Sequence, residues 1–150
     1  MNQIELVKET VSKIFEFINL SAPVDIAEKD GEIKIAVVGD NLNFLIGTHG
    51  AGLSSLESYL NLLSFKNYND KSLRVTVDIN DYKVRKTEKI HDMARRAIDK
   101  VRFQSEEVHM PPMNPAERRL VHTFVAEYND VATESIGDEP FRRVVLKKKL

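Results

Sequence analysis

The sequence predicts an α+β protein built from two small domains, and three observations support this prediction. Some segments place apolar residues three and four positions apart, as amphipathic helices do, and others alternate them, as half-buried strands do. An Asp-Gly pair at residues 30–31 separates two alternating segments, as it does in many β-hairpins. A long helical pattern from residue 81 then separates the order α-β-β-α-α-β from a second, shorter group of elements.

The first domain is predicted over residues 1–80. Its predicted elements are a helix over 2–20, hairpin strands around 24–26 and 33–37, a short helix from Leu42, a leucine-striped helix from Leu53 to Leu63, a polar loop over 67–71 and a strand over 73–79. Pro23 ends the first helix because proline biases its predecessor away from helical geometry. The alternation in the strands indicates a three-stranded sheet with one buried face.

The second domain is predicted over residues 81–150. Its predicted elements are a long connecting helix over 81–106, a short apolar segment at 108–110, a helix from Asn114, a turn over 137–140 and a strand over 141–146. The segment Asn114-Pro115-Ala116-Glu117 is a strong helix start, because it offers a capping side chain, a proline at the first helical position and a glutamate at the third. The boundary between the domains is expected near residue 80.

The composition excludes several classes of protein. There is no cysteine, so neither a disulfide nor a thiolate metal site can form. No apolar run is long enough to cross a bilayer, and the first residues do not resemble a signal peptide, which is compatible with a cytoplasmic protein. The net charge of −1 hides an asymmetry: residues 1–80 hold seven Lys/Arg against eleven Asp/Glu, or −4, which leaves +3 for residues 81–150.

The first candidate site is a glycine loop of five residues: Ile46, Gly47, Thr48, His49 and Gly50. Two glycines three positions apart let the backbone turn sharply and let a ligand approach the peptide groups closely. The following helix would begin here, with free N–H groups and the positive end of its dipole facing outward. These features predict a place that holds a phosphate group.

The second candidate site combines an arginine and a histidine. Arg118 and His122 stand four positions apart, so their side chains share one face of a helix. Arginine presents a planar fork that suits phosphate oxygens, and histidine can donate a hydrogen bond and is partly charged near neutral pH. Arg119 adds a neighbouring cation. A solvated pair without a ligand is the alternative interpretation.

A basic segment ends the chain. It contains five cations within eight residues: Arg142, Arg143, Lys147, Lys148 and Lys149. On an alternating strand Arg142 and Arg143 would point to opposite faces, so at most one of them would join any given surface. The segment either contacts a polyanion beside the Arg118 helix or serves solubility alone.

No residues are arranged as a catalytic set. There is no serine in a nucleophile elbow, no cysteine, and no glycine-rich loop of the kinds that bind nucleotides. The remaining histidines are too scattered in sequence to indicate a metal site. We therefore expect a protein that is not an enzyme and that uses neither a metal nor a cofactor.

These residues resemble those of a known family. The order α-β-β-α-α-β with Ile46-Gly47-Thr48-His49-Gly50 between its later helices resembles a type II KH domain. The segment from Asn114 through Arg118 to His122, followed by Phe141-Arg-Arg-Val-Val, resembles the R-three-H module, named for its Arg-x-x-x-His signature. The two modules in this order, joined by a long helix, are similar to the Jag (SpoIIIJ-associated) family of bacterial RNA-binding proteins.

The resemblance implies that single-stranded RNA is held by both modules. The KH loop would clamp backbone phosphates, and Arg118, His122 and nearby cations would bind the strand through the R-three-H module. Single-stranded DNA is a possible second ligand. The resemblance also implies a cytoplasmic regulator that acts after transcription or in envelope or sporulation processes.

One departure from the family pattern favours a different role. The variable loop positions of the family are usually basic, whereas this sequence has Thr48 and His49 there. Strong RNA binding at the loop is therefore less expected, and the Arg118 surface becomes the more important candidate site. The rival hypothesis is a protein-interaction scaffold that forms a homodimer or pairs with another small KH protein.

Overall fold

The computed structural model describes residues 1–69 and 73–150. The chain divides into two compact units, unit 1 (Met1–Tyr82) and unit 2 (Lys83–Leu150), each with its own hydrophobic core. Both units mix helices with a small sheet, so the predicted α+β class is confirmed. In the part of the chain that the structure describes, no helix has the length and apolarity that a membrane-spanning segment needs.

Unit 1 has the predicted order of elements. They are α1 (Gln3–Phe17), β1 (Val24–Lys29), β2 (Glu32–Val37), α2 (Asn43–Ile46), a single 3₁₀ turn (Thr48–Gly50), α3 (Ala51–Tyr68) and β3 (Arg74–Ile79). The loop predicted over 67–71 begins later than expected, because α3 runs to Tyr68. Residues 70 and 71 of that loop lie outside the described residues.

The sheet of unit 1 has the order β1-β2-β3, with β1 antiparallel and β3 parallel to β2. Asp30 and Gly31 both have positive φ, as the two central residues of a tight hairpin turn require. The alternating residues of β2 and β3 are almost fully buried against α1 and α3. This core consists of Ile33, Ile35, Val37, Val75, Val77 and Ile79 from the sheet, Val7, Val11 and Phe15 from α1, Leu42 and Ile46 before and at the end of α2, and Leu53 and Leu60 from α3.

Polar side chains of α3 bind the backbone of β3. The side-chain oxygen of Asn61 accepts a hydrogen bond from the Val75 N–H at 2.8 Å, and its nitrogen donates to the Val75 carbonyl at 2.7 Å. Glu57 accepts a bond from the Val77 N–H at 2.7 Å. A buried backbone group without a partner is costly, so these bonds fix α3 along the sheet. They thereby fix the position of the glycine loop at the N-terminus of α3.

Unit 2 contains most of α4 (Tyr82–Gln104), then β4 (Val108–His109), α5 (Pro115–Val125), β5 (Val131–Ile136) and β6 (Arg143–Lys148). Its described strands form an antiparallel sheet in the order β4-β6-β5. The helices cover one face of that sheet. The buried residues of this core are Ile90, Ala94, Ala97, Ile98, Val101, Met110, Met113, Val121, Val125, Val131, Val144 and Leu146.

Two predictions for unit 2 are wrong. Strand β5 was not expected, because its inward face carries the hydroxyls of Thr133 and Ser135 instead of a continuous apolar pattern. The last strand begins at Arg143 and not at Phe141, because the Phe141 N–H donates to the Asp138 carbonyl at 2.8 Å and closes a turn. Arg142 therefore lies before the strand, so its side chain does not follow the alternation of faces along β6.

Candidate nucleic-acid interface

The glycine loop of unit 1 is exposed in its centre and anchored at both ends. Gly47, Thr48 and His49 are solvent-exposed, whereas Ile46 is buried in the core and Gly50 is buried below the ring of Tyr82. Ile46 therefore anchors the loop and presents no surface to a ligand. The expectation of an outward-facing loop holds for residues 47–49.

Glycine is required at position 47 for two reasons. Its φ of 71° and ψ of −179° fall in a region that is almost exclusive to glycine. A Cβ at this position would also lie 2.7 Å from the backbone nitrogen of Gly52. Gly50 has a φ of 80°, and a Cβ there would lie 2.9 Å from the Tyr82 ring. The loop therefore has a conformation that other residues would strain.

Gly52 is a residue of the site that the sequence analysis missed. A Cβ at Gly52 would lie 2.3 Å from the Leu45 carbonyl oxygen, so the end of α2 packs directly on the first turn of α3. Glycine inside a helix is ordinarily unfavourable, since it lowers helix propensity by about 1 kcal/mol relative to alanine. Its place in the first turn of α3 could have suggested a close backbone approach.

The start of α3 offers positive potential without a charged side chain. Its N-cap residue is Gly50, no side-chain capping bond is formed among the described residues, and the first turn contains no acidic residue. Helix N-termini present backbone N–H groups and the positive end of the dipole. The loop residues include neither lysine nor arginine. Two N–H groups at this start already donate within the chain, Gly50 to the Gly47 carbonyl at 3.3 Å and Ala51 to the Thr48 carbonyl, so what the backbone offers an anion here is mainly the helix dipole.

Arg118 does not lie on the surface as expected. It is only 8% exposed, and its Nη1 donates a hydrogen bond to the Met113 carbonyl at 2.5 Å. Its Nη2 lies 2.7 Å from Oε1 of Glu139, whose side chain is 54% exposed. The carboxylate that pairs with Arg118 is therefore at the surface, while the guanidinium is enclosed. Arg118 holds residues 137–142 against the start of α5.

His122 is bound on both ring nitrogens. Nδ1 lies 2.7 Å from the Thr133 hydroxyl and Nε2 lies 2.7 Å from the Ser135 hydroxyl. Burial lowers the pKa of His122 below its ordinary value, and the positive charge of Arg118 lowers it further. The charged form of His122 is therefore less favourable in the folded protein than its sequence position indicated. The neutral ring joins α5 to β5.

The predicted helix start at Asn114 is confirmed. The Asn114 side chain accepts a bond from the Glu117 N–H at 2.8 Å, and the Glu117 carboxylate accepts one from the Asn114 N–H at 2.9 Å. Glu117 is buried, and its other oxygen lies 2.9 Å from Nζ of Lys86 on α4. The start of α5, which places Arg118 and Arg119, is thus fixed from two sides.

The remaining predicted cations differ in exposure. Arg119 is exposed, and no ion pair joins it to the described residues. Arg142 and Arg143 are half-buried: Arg142 Nη1 donates to the Gly137 carbonyl at 2.8 Å, and Arg143 Nε donates to the Phe141 carbonyl at 3.4 Å.

Lys147 pairs with Glu134 across the sheet. Its Nζ lies 3.0 Å from the Glu134 carboxylate, and this contact raises the pKa of Lys147 above its ordinary value. Both side chains are largely solvated. The lysine keeps its charge, but part of that charge is already neutralised by its neighbour.

The Met113 backbone links two of the predicted arginines. Its carbonyl accepts a bond from Arg118, and its N–H donates to the Arg142 carbonyl at 3.0 Å. Glu139 belongs to the same loop and was missed by the sequence analysis, as were Thr133 and Ser135. The only sequence signal for Glu139 was an acidic residue in a predicted turn. Among residues 1–69 and 73–150, no cluster of three or more possible metal ligands is found.

Comparison with known proteins identifies an R-three-H domain over residues 88–148, in agreement with the module expected from the sequence. The chain is 32% identical over 143 residues to the RNA-binding protein KhpB of Clostridium symbiosum, a match that covers 94% of this chain and 64% of that protein. It is 26% identical over 151 residues to the KhpB of Bacillus subtilis, covering 99% of this chain and 72% of the relative. The chain thus spans less than two thirds of the Clostridium relative's length. This chain contains an R-three-H domain and is similar to proteins named as RNA-binding.

Proposed function

We propose that this protein binds single-stranded RNA through two modules and regulates RNA after transcription. Unit 1 acts as a type II KH domain, and unit 2 presents the R-three-H surface. The observation that supports this most strongly is the exposed glycine loop at the N-terminus of α3, where the described residues form no side-chain capping bond. The relatives named as RNA-binding proteins support RNA as the polymer.

In unit 1 the backbone holds the phosphates. Gly47 lets the strand approach the peptide groups, and Thr48 can donate a hydroxyl hydrogen bond. Because the loop residues include no lysine or arginine, binding at this loop releases few counterions and depends weakly on salt. His49 at the loop tip contributes contact area.

In unit 2 the exposed cations hold the phosphates, and Arg118 and His122 maintain the scaffold that positions them. Arg119 is the leading phosphate contact because it is exposed and stands next to Arg118 on α5. Arg143 and Lys147 lie on the face of β6 opposite to the core residues Val144 and Leu146, so together with Arg142 at the end of the β5–β6 connection they form a second basic surface. Each phosphate contact of this kind adds to the salt dependence of binding.

The test is fluorescence anisotropy of a labelled mixed-sequence RNA oligonucleotide at several salt concentrations. Thr48→Asp with His49→Asp is expected to weaken binding about tenfold, because two carboxylates would face the phosphates. The matched control is Ser58→Asp with Asn67→Asp, which adds the same charge at exposed positions roughly 12 Å or more along α3. The control is expected to bind almost as the native chain does.

Arg119→Ala tests unit 2 in the same titration. It is expected to lower the slope of log affinity against log salt by about 0.7, the value for one phosphate contact on a single strand. Lys89→Ala, at another exposed cation of unit 2, is the control. Single-stranded DNA and duplex RNA of the same sequence define the polymer preference. If Thr48→Asp with His49→Asp and Arg119→Ala both bind RNA as the native chain does, the proposed function is refuted.

An apolar surface on unit 1 favours a second candidate function, a scaffold that pairs with a second copy or with another small KH protein. The side chains of Phe17, Tyr59 and Leu62 on α1 and α3 are exposed, and Phe17 and Tyr59 border a groove between these two helices. Light scattering of the purified chain before and after nuclease treatment separates the candidates. An assembly that resists nuclease and is lost in Tyr59→Glu supports the scaffold, and a nuclease-sensitive one supports RNA binding.

A further inference from the structure

The loop between β5 and β6, residues 137–142, presents an aromatic ring to solvent. The Phe141 side chain is 68% exposed, although phenylalanine usually belongs in a core. The core of unit 2 already contains the buried residues of α4, α5 and the sheet, and Phe141 is not among them. Its exposure therefore does not serve the packing of the unit.

The backbone that bears Phe141 is firmly held. The Phe141 N–H donates to the Asp138 carbonyl at 2.8 Å, and the carbonyl of Arg142 accepts a bond from the Met113 N–H at 3.0 Å. Glu139 in the same loop is tied to the enclosed guanidinium of Arg118 at 2.7 Å. The ring is thus presented by a loop that is bonded to Arg118 of α5 through Glu139 and to Met113, two residues before α5, through Arg142.

Cations belong to the same short segment of backbone as this ring. Arg142 and Arg143 follow it directly in sequence, and Nε of Arg143 donates to the Phe141 carbonyl at 3.4 Å. An exposed aromatic among arginines matches a polymer that carries both negative charge and flat π faces. Single-stranded nucleic acids have this combination, and proteins hold them with stacking platforms flanked by cations.

We propose that Phe141 is the base-stacking residue of the R-three-H surface. A nucleobase of single-stranded RNA lies on its ring while Arg142 and Arg143, which follow it in sequence, contact the adjoining phosphates. This assignment depends on the proposed RNA-binding function and adds to it the residue that contacts a base. Since every base has a π face, the contact tolerates any sequence and gives affinity without sequence preference.

The experiment is a titration of the full chain with a single-stranded RNA that contains 2-aminopurine, a base whose fluorescence falls when it stacks. Phe141→Ala is expected to bind about tenfold more weakly than the native chain, within the range that loss of one stacked base produces. The salt slope is expected to stay unchanged, because no phosphate contact is removed. Phe141→Trp is expected to restore both affinity and quenching.

The matched control is Phe103→Ala, which removes an aromatic ring from α4 that is 91% exposed. It is expected to bind as the native chain does. If the native chain binds RNA but Phe141→Ala binds equally well and quenches equally, the assignment of Phe141 is overturned and the proposed function survives. If the native chain binds no single-stranded RNA, the proposed function fails and the assignment fails with it.

Discussion

The two candidate sites of this protein are built in opposite ways. In unit 1 the glycine loop is formed by backbone, and its shape depends on Gly47, Gly50 and Gly52, where added Cβ atoms would lie 2.3–2.9 Å from their neighbours. In unit 2 the site is formed by side chains, and two of the residues that define it, Arg118 and His122, are already bound to other residues of the same unit. A backbone site is sensitive to shape, and a side-chain site is sensitive to charge and to hydrogen-bond partners.

This difference explains what each motif contributes. In the binding mode proposed for unit 1, the signature residues contact the ligand directly, because the glycines expose peptide groups. In unit 2 the signature arginine and histidine hold a loop and a strand, and the exposed Arg119 and Phe141 meet solvent. A sequence motif can therefore mark a binding site because its residues fix the loop and the strand that carry the exposed side chains.

The largest effect is expected for Gly52→Val. A Cβ at this position would overlap the Leu45 carbonyl oxygen at 2.3 Å, so α2 and α3 must separate. We expect the free energy of unfolding of unit 1 to fall by about 3 kcal/mol, at the upper end for overpacking a tight site. Chemical denaturation measures this change. Ser54→Val, at an exposed position of the same helix, is the control, and an equal loss in both variants would show that the close approach is not responsible.

Arg118→Ala is expected to lower the free energy of unfolding of unit 2, by less than Gly52→Val lowers that of unit 1. The substitution leaves the Met113 carbonyl without its donor and Glu139 without its cation. Breaking a fully buried pair costs about 3–5 kcal/mol, and the exposure of Glu139 reduces this to about 2 kcal/mol for unit 2. Arg119→Ala is the control and should stay within about 0.5 kcal/mol of the native chain. Thermal unfolding followed by circular dichroism distinguishes them, and equal midpoints would refute the supporting role of Arg118.

Thr133→Val is expected to lower the free energy of unfolding by less than Arg118→Ala does. It keeps the shape of the side chain but removes the hydroxyl that contacts Nδ1 of His122. Loss of one hydrogen bond at a partly buried group lowers stability by about 1 kcal/mol. Thr123→Val makes the same chemical change at an exposed position of α5 and should be nearly neutral. If the two variants unfold alike, the link between His122 and β5 contributes nothing.

The smallest expected effect is a dependence on pH. Burial and Arg118 lower the pKa of His122 in the folded protein, while the unfolded chain keeps the ordinary value of about 6.5. The unfolded state therefore binds the proton first on acidification, and stability present above that value is lost as pH falls toward the folded pKa. His122→Gln should flatten the change in unfolding free energy between about pH 7.5 and 5.5. His109→Gln, at an exposed histidine, should keep the native profile.

The sequence predicted the parts that depend on local interactions. The hairpin turn at Asp30-Gly31, the capping box at Asn114 and the position of the glycine loop all arise from residues within a few positions of one another. Strand β5 was missed because its inward hydroxyls are satisfied by a histidine eleven and thirteen positions earlier. The burial of Arg118 was missed because its partner Glu139 lies 21 positions further along. Pairings at such separations leave no periodic signal.

RNA binding at both sites is tested most directly by titrating the isotope-labelled chain with a short single-stranded RNA and recording backbone amide NMR spectra. The account predicts two separate groups of shifted resonances, one at residues 47–50 and one at Arg119 and residues 141–143. Resonances of Arg118 and His122 should move less than those of their exposed neighbours. Shifts confined to the apolar face of α1 and α3, or no shifts at all, would contradict RNA binding through these two sites.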